Sequence, residues 1–165
     1  MLLVLFAYAF VSNVALAVVP HEPVVVWCGP RLGIWMTALV ATAGTVAAAW
    51  VDHRVFVPVI QRLDSRRRMG AAAMQRWFNR APFAVLALSG LTPLPFFPFK
   101  ALAFAGRYPL GRYLAAVAAG RLPRYALLAW FGLVVPVPAW LLLVVSVALL
   151  LPSLRLLPWP TRPVN

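Results

Sequence analysis

Apolar residues in this chain come in long blocks, not in the alternating or striped patterns of soluble strands and helices. Residues 1–20 carry no charged side chain, residues 32–51 form a second uncharged block, residues 81–99 a third, and residues 125–154 a fourth that is divided at Pro136-Val137-Pro138. About 20 such residues cross a hydrocarbon core. The pattern therefore predicts transmembrane helices at 1–19, 32–51, 111–134 and 138–156. A signal peptide is the rival reading of the first, with Ala15-Leu16-Ala17 as a cleavage site; the missing basic n-region favours a retained helix.

Proline sets two further segments apart. Residues 81–106 contain Pro82, Pro93, Pro95 and Pro98, and one lipid-exposed helix cannot carry four missing amide donors. A segment over 81–110 that enters the membrane, breaks and returns is expected, with residues 20–31 as its counterpart; a proline-rich interfacial loop is the plainer alternative. Between them, residues 52–80 read as a basic connection. Within it Met74, Trp77, Phe78 and Ala81 follow the i, i+3, i+4, i+7 spacing while Arg76 and Arg80 share another face, the pattern of a short helix lying on a lipid surface. Residues 157–165 form a tail. The expected fold class is a single-domain, all-α integral membrane protein with two inverted re-entrant helical hairpins and flanking transmembrane helices.

A weak internal repeat supports the two hairpins. Pro20-His21-Glu22-Pro23 is followed by apolar residues 24–28, then Gly29-Pro30-Arg31-Leu32-Gly33 and a helix. Pro93-Leu94-Pro95-Phe96-Phe97-Pro98 is followed by apolar residues 101–105, then Gly106-Arg107-Tyr108-Pro109-Leu110-Gly111 and another helix. Broken apolar hairpins at matching places in two halves point to a transporter site built from discontinuous helices.

Composition agrees and adds orientation. Of 165 residues, 64% are hydrophobic and 11% charged, which excludes an ordinary soluble domain and a disordered chain alike. The 15 Lys+Arg against 3 Asp+Glu fit anionic lipid headgroups better than nucleic acid, because the bases are interleaved with apolar runs. Arg54, Arg62, Arg66, Arg67, Arg68, Arg76 and Arg80 crowd the connection and place it in the cytoplasm of an inner-membrane protein. The helix at 32–51 then runs inward, the first hairpin opens outward with Arg31, the second inward with Arg107 and Arg112, and both termini are cytoplasmic.

Chemistry is confined to a few residues. Arg121 and Arg124 fall in the middle of the 111–134 helix, on one face, where an arginine is costly unless it meets a cavity or a counter-charge. They form a candidate site for a lipid phosphate, since a guanidinium can bind two oxygens at once; the rival reading is a shorter helix whose arginines snorkel to an interface. Pro123 between them frees the carbonyl of Ala119. Glu22, between two prolines, is a candidate proton carrier or counter-ion to Arg121 or Arg124, and Asp52 with Arg54 a candidate coupling pair. His21-Glu22 and Asp52-His53 offer metal ligands, but a spanning helix separates them by about 30 Å, so neither metal nor cofactor is expected. No nucleophile–base arrangement or GxSxG, HExxH, P-loop or GxGxxG motif is present, and the chain is not read as an enzyme.

The basic amphipathic stretch, Leu91-Thr92-Pro93-Leu94-Pro95-Phe96-Phe97-Pro98-Phe99-Lys100, Ala105-Gly106-Arg107-Tyr108-Pro109 and Gly120-Arg121-Leu122-Pro123-Arg124-Tyr125 together resemble the second half of a DedA-type, or VTT-domain (SNARE-associated Golgi protein), membrane protein, most closely its small YqaA-like branch. The first half is similar too, with Pro20-His21-Glu22-Pro23 at the acidic re-entrant loop and Asp52 at the acid after a small-residue helix. The likeness covers roughly residues 13–132. It departs where the family's common Pro-Gly-x-Pro reads Pro-His-Glu-Pro, and where Thr92 replaces an arginine before the first proline, a charge for which Lys100 stands in. The resemblance implies two inverted re-entrant hairpins and translocation of a phospholipid or polyprenyl phosphate, with Glu22, Asp52, Arg54, Lys100, Arg107, Arg121 and Arg124 as candidate transport residues. Membrane lipids and a second copy of the chain are the expected partners, and no nucleic acid. A non-transporting membrane scaffold that binds anionic lipid or a partner protein is the alternative.

Overall fold

A computed structural model of the chain describes residues 1–14, 21–62, 72–92, 96–135, 137–138, 140–142, 144–145 and 147–148. Every regular element among them is helical: α1 (Leu2–Asn13), α2 (Glu22–Leu32), α3 (Ile34–Arg62), α4 (Ala72–Phe78), α5 (Pro82–Leu91), α6 (Phe97–Ala105) and α7 (Leu110–Val134). The expected helix at 138–156 is described only at 140–142, 144–145 and 147–148, which are helical. Arg66, Arg67, Arg68, Pro93, Leu94, Pro95 and the tail at 157–165 lie outside the described residues.

Two helices are long and four are short in a regular way. α3 has 29 residues and α7 has 25, about 44 and 38 Å at 1.5 Å per residue. The stretch Ile34–Val59 is the helix among the described residues that is long and apolar enough to cross a membrane; α7 matches it in length but carries Arg112, Arg121 and Arg124. The helix expected at 32–51 in fact runs on through Asp52 to Arg62, so the first part of the basic connection is helical. By contrast α1, α2, α5 and α6 have 12, 11, 10 and 9 residues, or about 14–18 Å each, half of what a crossing needs.

The short helices end where the sequence supplies a reason. α1 stops at Asn13 because the Ser12 hydroxyl and the Asn13 amide both turn back to the carbonyl of Ala9, at 3.2 and 2.8 Å, competing with the helical ladder; Val14 is extended. Of the spanning helix expected over 1–19, α1 accounts for Leu2–Asn13, and residues 15–20 lie outside the described residues. α2 and α6 each begin with proline in the first turn, where its absent amide costs nothing. Gly33 closes α2 at φ 80°, a positive φ that suits glycine, and Arg107, just after the Gly106 cap of α6, has φ 52°.

Packing makes the repeat three-dimensional. α1 packs on α3 and α5 on α7, each within its own half; α2 packs on α7 and α6 on α3, each across to the other half; and α3 packs along α7 at the centre. Thr45 of α3 meets Tyr125 of α7, while His53 stacks near Tyr113, so the two long helices run antiparallel. Two apolar clusters follow. Leu5, Ala9, Val25, Cys28, Ala38 and Ala41 gather around Tyr125. Ala49, Phe78, Leu86, Leu102, Phe104, Ala116 and Val117 gather around Tyr113.

Candidate functional site

Arg124 lies at the centre of α7 and joins both halves. Its Nη2 donates to Glu22 Oε1 at 2.8 Å and its Nη1 to the Thr92 carbonyl at 2.6 Å. Glu22 is the first residue of α2 and Thr92 is where α5 gives way to extended backbone. One part-buried guanidinium thus ties the start of α2 to the end of α5 through charge-assisted bonds.

A second buried pair lies on α3. Lys100 Nζ donates to Asp52 Oδ2, with Asp52 1% and Lys100 5% exposed. Here the short helix α6 carries the base and the long helix α3 the acid; between α2 and α7 the short helix carries the acid and the long helix the base. Each pair crosses from one half to the other, so the halves are cross-latched with opposite polarity.

Arg121 is the cation these pairs leave over. It is 5% exposed, and its Nε has no hydrogen-bond partner among the described residues. Its guanidinium carbon lies 5.5 Å from the centre of the Phe96 ring and 6.0 Å from that of Tyr125, a cation–π setting that offsets part of the desolvation. Its field reaches Glu22 and Arg124 on one side and Lys100 on the other. Among the described residues, Glu22 and Asp52 are each paired to a base, and this buried to part-buried group carries one more positive charge than negative.

Beside Glu22 runs a hydrogen-bonded chain. His21 Nε2 is 2.6 Å from Tyr125 Oη, Tyr125 Oη is 2.8 Å from Thr45 Oγ1, and Asn13 Nδ2 donates to Thr45 Oγ1 at 3.3 Å. All four residues are buried. They come from α1, the turn before α2, α3 and α7, and converge on the same place as Arg124.

Of the residues expected to act, Glu22, Arg121 and Arg124 are brought together, and Glu22 is the counter-ion of Arg124, not of Arg121. Asp52 does not pair with Arg54: residues two apart point to nearly opposite sides of a helix, so Asp52 turns inward to Lys100 while Arg54 is exposed beside the Trp50 ring at 5.7 Å. Arg107 is also exposed, in the turn between α6 and α7, away from the buried charges. His21, Tyr125, Thr45 and Asn13 were not among the expected site residues. The available signal was a polar residue inside an uncharged block, as Asn13 and Thr45 are, which in a membrane seeks an internal partner.

Against known families, residues 19–134 match the model of the VTT domain. That span begins shortly before α2 and ends at the last residue of α7. No curated protein and no solved structure matches the chain.

Proposed function

The chain belongs to the VTT-domain family, a membrane-associated family, and on that premise we propose that it is a DedA-type membrane transporter that moves a lipid bearing a phosphate headgroup, a phospholipid or a polyprenyl phosphate, across the bilayer. The observation that carries this reading is Arg121: a buried guanidinium at the middle of a 25-residue helix, in a group of charges with one positive charge in excess. A low-dielectric surplus of this kind is unfavourable alone and favourable around an anion. Arg124, with both of its bonds going to hairpin ends, is the second donor. The lipid moves without any covalent bond being made or broken.

The short helices support the same reading. Two limbs of about 14–18 Å that meet at an interruption suit re-entrant hairpins entering from opposite faces, each presenting its break at mid-membrane. Large apolar side chains such as Leu3, Trp35, Leu88, Leu127 and Trp130 are more than half exposed, a surface suited to lipid.

The test is translocation in reconstituted vesicles, offering a fluorescent phospholipid and a polyprenyl phosphate to the wild type and to Arg121→Ala, with insertion of each checked separately. The wild type should move at least one lipid, and the variant should be slower by at least about tenfold, the loss of one charge-assisted contact of roughly 1.5–3 kcal/mol. A correctly inserted wild type that moves neither lipid overturns the transporter reading and favours the scaffold.

A further inference from the structure

The inference concerns His21 and rests on the reading of Arg121 and Arg124 as an anion site. The His21 ring is buried edge-on to Tyr125, 5.3 Å between ring centres at 85°, and its two nitrogens face different partners. Nε2 is 2.6 Å from Tyr125 Oη, and Nδ1 is 3.9 Å from Glu22 Oε2. Glu22 gives its other oxygen, Oε1, to Arg124. The carboxylate is therefore shared between a permanent cation and a ring that becomes one on protonation.

Hydrogens along the chain can be assigned from donor and acceptor capacity. Thr45 Oγ1 donates to the Ala41 carbonyl at 3.0 Å, so Tyr125 must donate to Thr45, and the Tyr125 oxygen must accept from His21 Nε2–H. If the ring is then neutral, Nδ1 turns a lone pair toward the Glu22 carboxylate, acceptor facing acceptor. The other neutral tautomer puts the hydrogen on Nδ1, but Tyr125 must then donate to His21, Thr45 to Tyr125, and the Ala41 bond is lost. The imidazolium is the form that donates from Nε2 to Tyr125, turns an N–H toward Glu22 Oε2 at ion-pair distance, 3.9 Å, and keeps the Thr45–Ala41 bond.

We propose that His21 is a proton-binding site linked to anion binding: a proton on His21 draws Glu22 toward the imidazole and releases Arg124 to join Arg121 around a phosphate. The groups that face this centre are Glu22 on α2, Tyr8 and Asn13 on α1, Thr45 on α3, and Arg121, Arg124 and Tyr125 on α7. Burial first, and then the two arginines, oppose a positive charge on His21 while the site is empty, Glu22 favours it, and a phosphate between the arginines offsets their share of the opposition. Proton and anion therefore bind cooperatively, and each raises the affinity for the other by the same factor.

The experiment is calorimetric titration of the full chain in neutral detergent with dodecyl phosphate, repeated in two buffers of different ionisation enthalpy to read the protons exchanged. Inorganic phosphate serves as the headgroup without its chain; tighter binding of dodecyl phosphate assigns the site to lipid, and equal binding assigns it to the free anion. The wild type should take up close to one proton per anion, with affinity rising as pH falls by up to about tenfold per unit; in His21→Gln the uptake and the pH dependence should be lost. As a readout that does not depend on that variant folding, the chain has two histidines, so His53→Asn leaves His21 as the one imidazole in an NMR titration. Its titration should move to higher pH when dodecyl phosphate is added. Anion binding with no proton uptake, or with uptake unchanged in His21→Gln, overturns the inference while leaving the anion site standing. A wild type that binds neither probe removes the anion site, and the inference falls with it.

Discussion

Asp52 and Lys100 are each removed from water almost completely, so neither charge can lose its partner without leaving the other stranded. Asp52→Asn should destabilise the protein by about 3–5 kcal/mol, as should Lys100→Met, whereas the double variant should recover most of that loss because no unpaired charge remains. Unfolding of the four species in mixed micelles measures this directly; two losses that simply add would show the pair to be uncoupled. Residue chemistry was partly legible beforehand. Arginines at mid-helix stand out because burying a guanidinium is expensive, and Glu22 because it is an acid between two prolines. Which acid meets which base was not legible, since Glu22–Arg124 and Asp52–Lys100 are contacts between distant elements. The His21–Tyr125–Thr45–Asn13 chain was less legible still, because each member alone resembles an ordinary residue at a helix end or in a core.

At the scale of elements, glycine sets how closely the short helices approach the long ones. A Cβ added at Gly120 of α7 would fall 2.2 Å from the Ala87 carbonyl oxygen of α5, and one at Gly132 would fall 2.1 Å from the Val26 carbonyl oxygen of α2. In both cases the obstacle is backbone, which a rotamer change cannot move. Gly120→Ala should therefore cost about 1–3 kcal/mol, more than the gain of about 1 kcal/mol in helix propensity, and should push the Thr92 carbonyl away from Arg124. Gly111, on the same helix, has open space around its Cβ position, so Gly111→Ala should be neutral or stabilising by up to about 1 kcal/mol. Thermal melts of the two variants compare them; equal losses would show that the close α5–α7 approach is not needed for stability. Apolar length alone made α3 legible as far as Val51, whereas its extension to Arg62 and the arginine-bearing α7 lie outside the uncharged blocks. Nothing in hydropathy marked the end of α1 at Asn13, because that end is made by two side chains bonding back to Ala9 and by one reaching Thr45 on another helix.

For the whole molecule the decisive matter is whether the antiparallel pair α3 and α7 crosses a bilayer as proposed, and in which direction. By the positive-inside rule the arginines that follow α3 are expected to put its last residues in the cytoplasm, with Arg31, beside Gly33, on the outer side. The chain is convenient for testing this, because its one cysteine, Cys28, is 2% exposed and Cys28→Ala yields a background without thiols. In that background Arg31→Cys should react with a membrane-impermeant maleimide in intact cells, while Arg76→Cys should react only after the membrane is opened; both positions are exposed. Reversed labelling would keep the inverted repeat but turn it over, so that the hairpin bearing Glu22 would open to the cytoplasm. Labelling of both from one side would mean that α3 does not cross, and without that crossing Arg121 and Arg124 would have no mid-membrane position from which to receive a headgroup. With α3 crossing as expected, the hairpin that carries His21 and Glu22 is entered from outside and the one that carries Lys100 from inside, so a lipid phosphate passing between the leaflets would meet the same arginines from either direction.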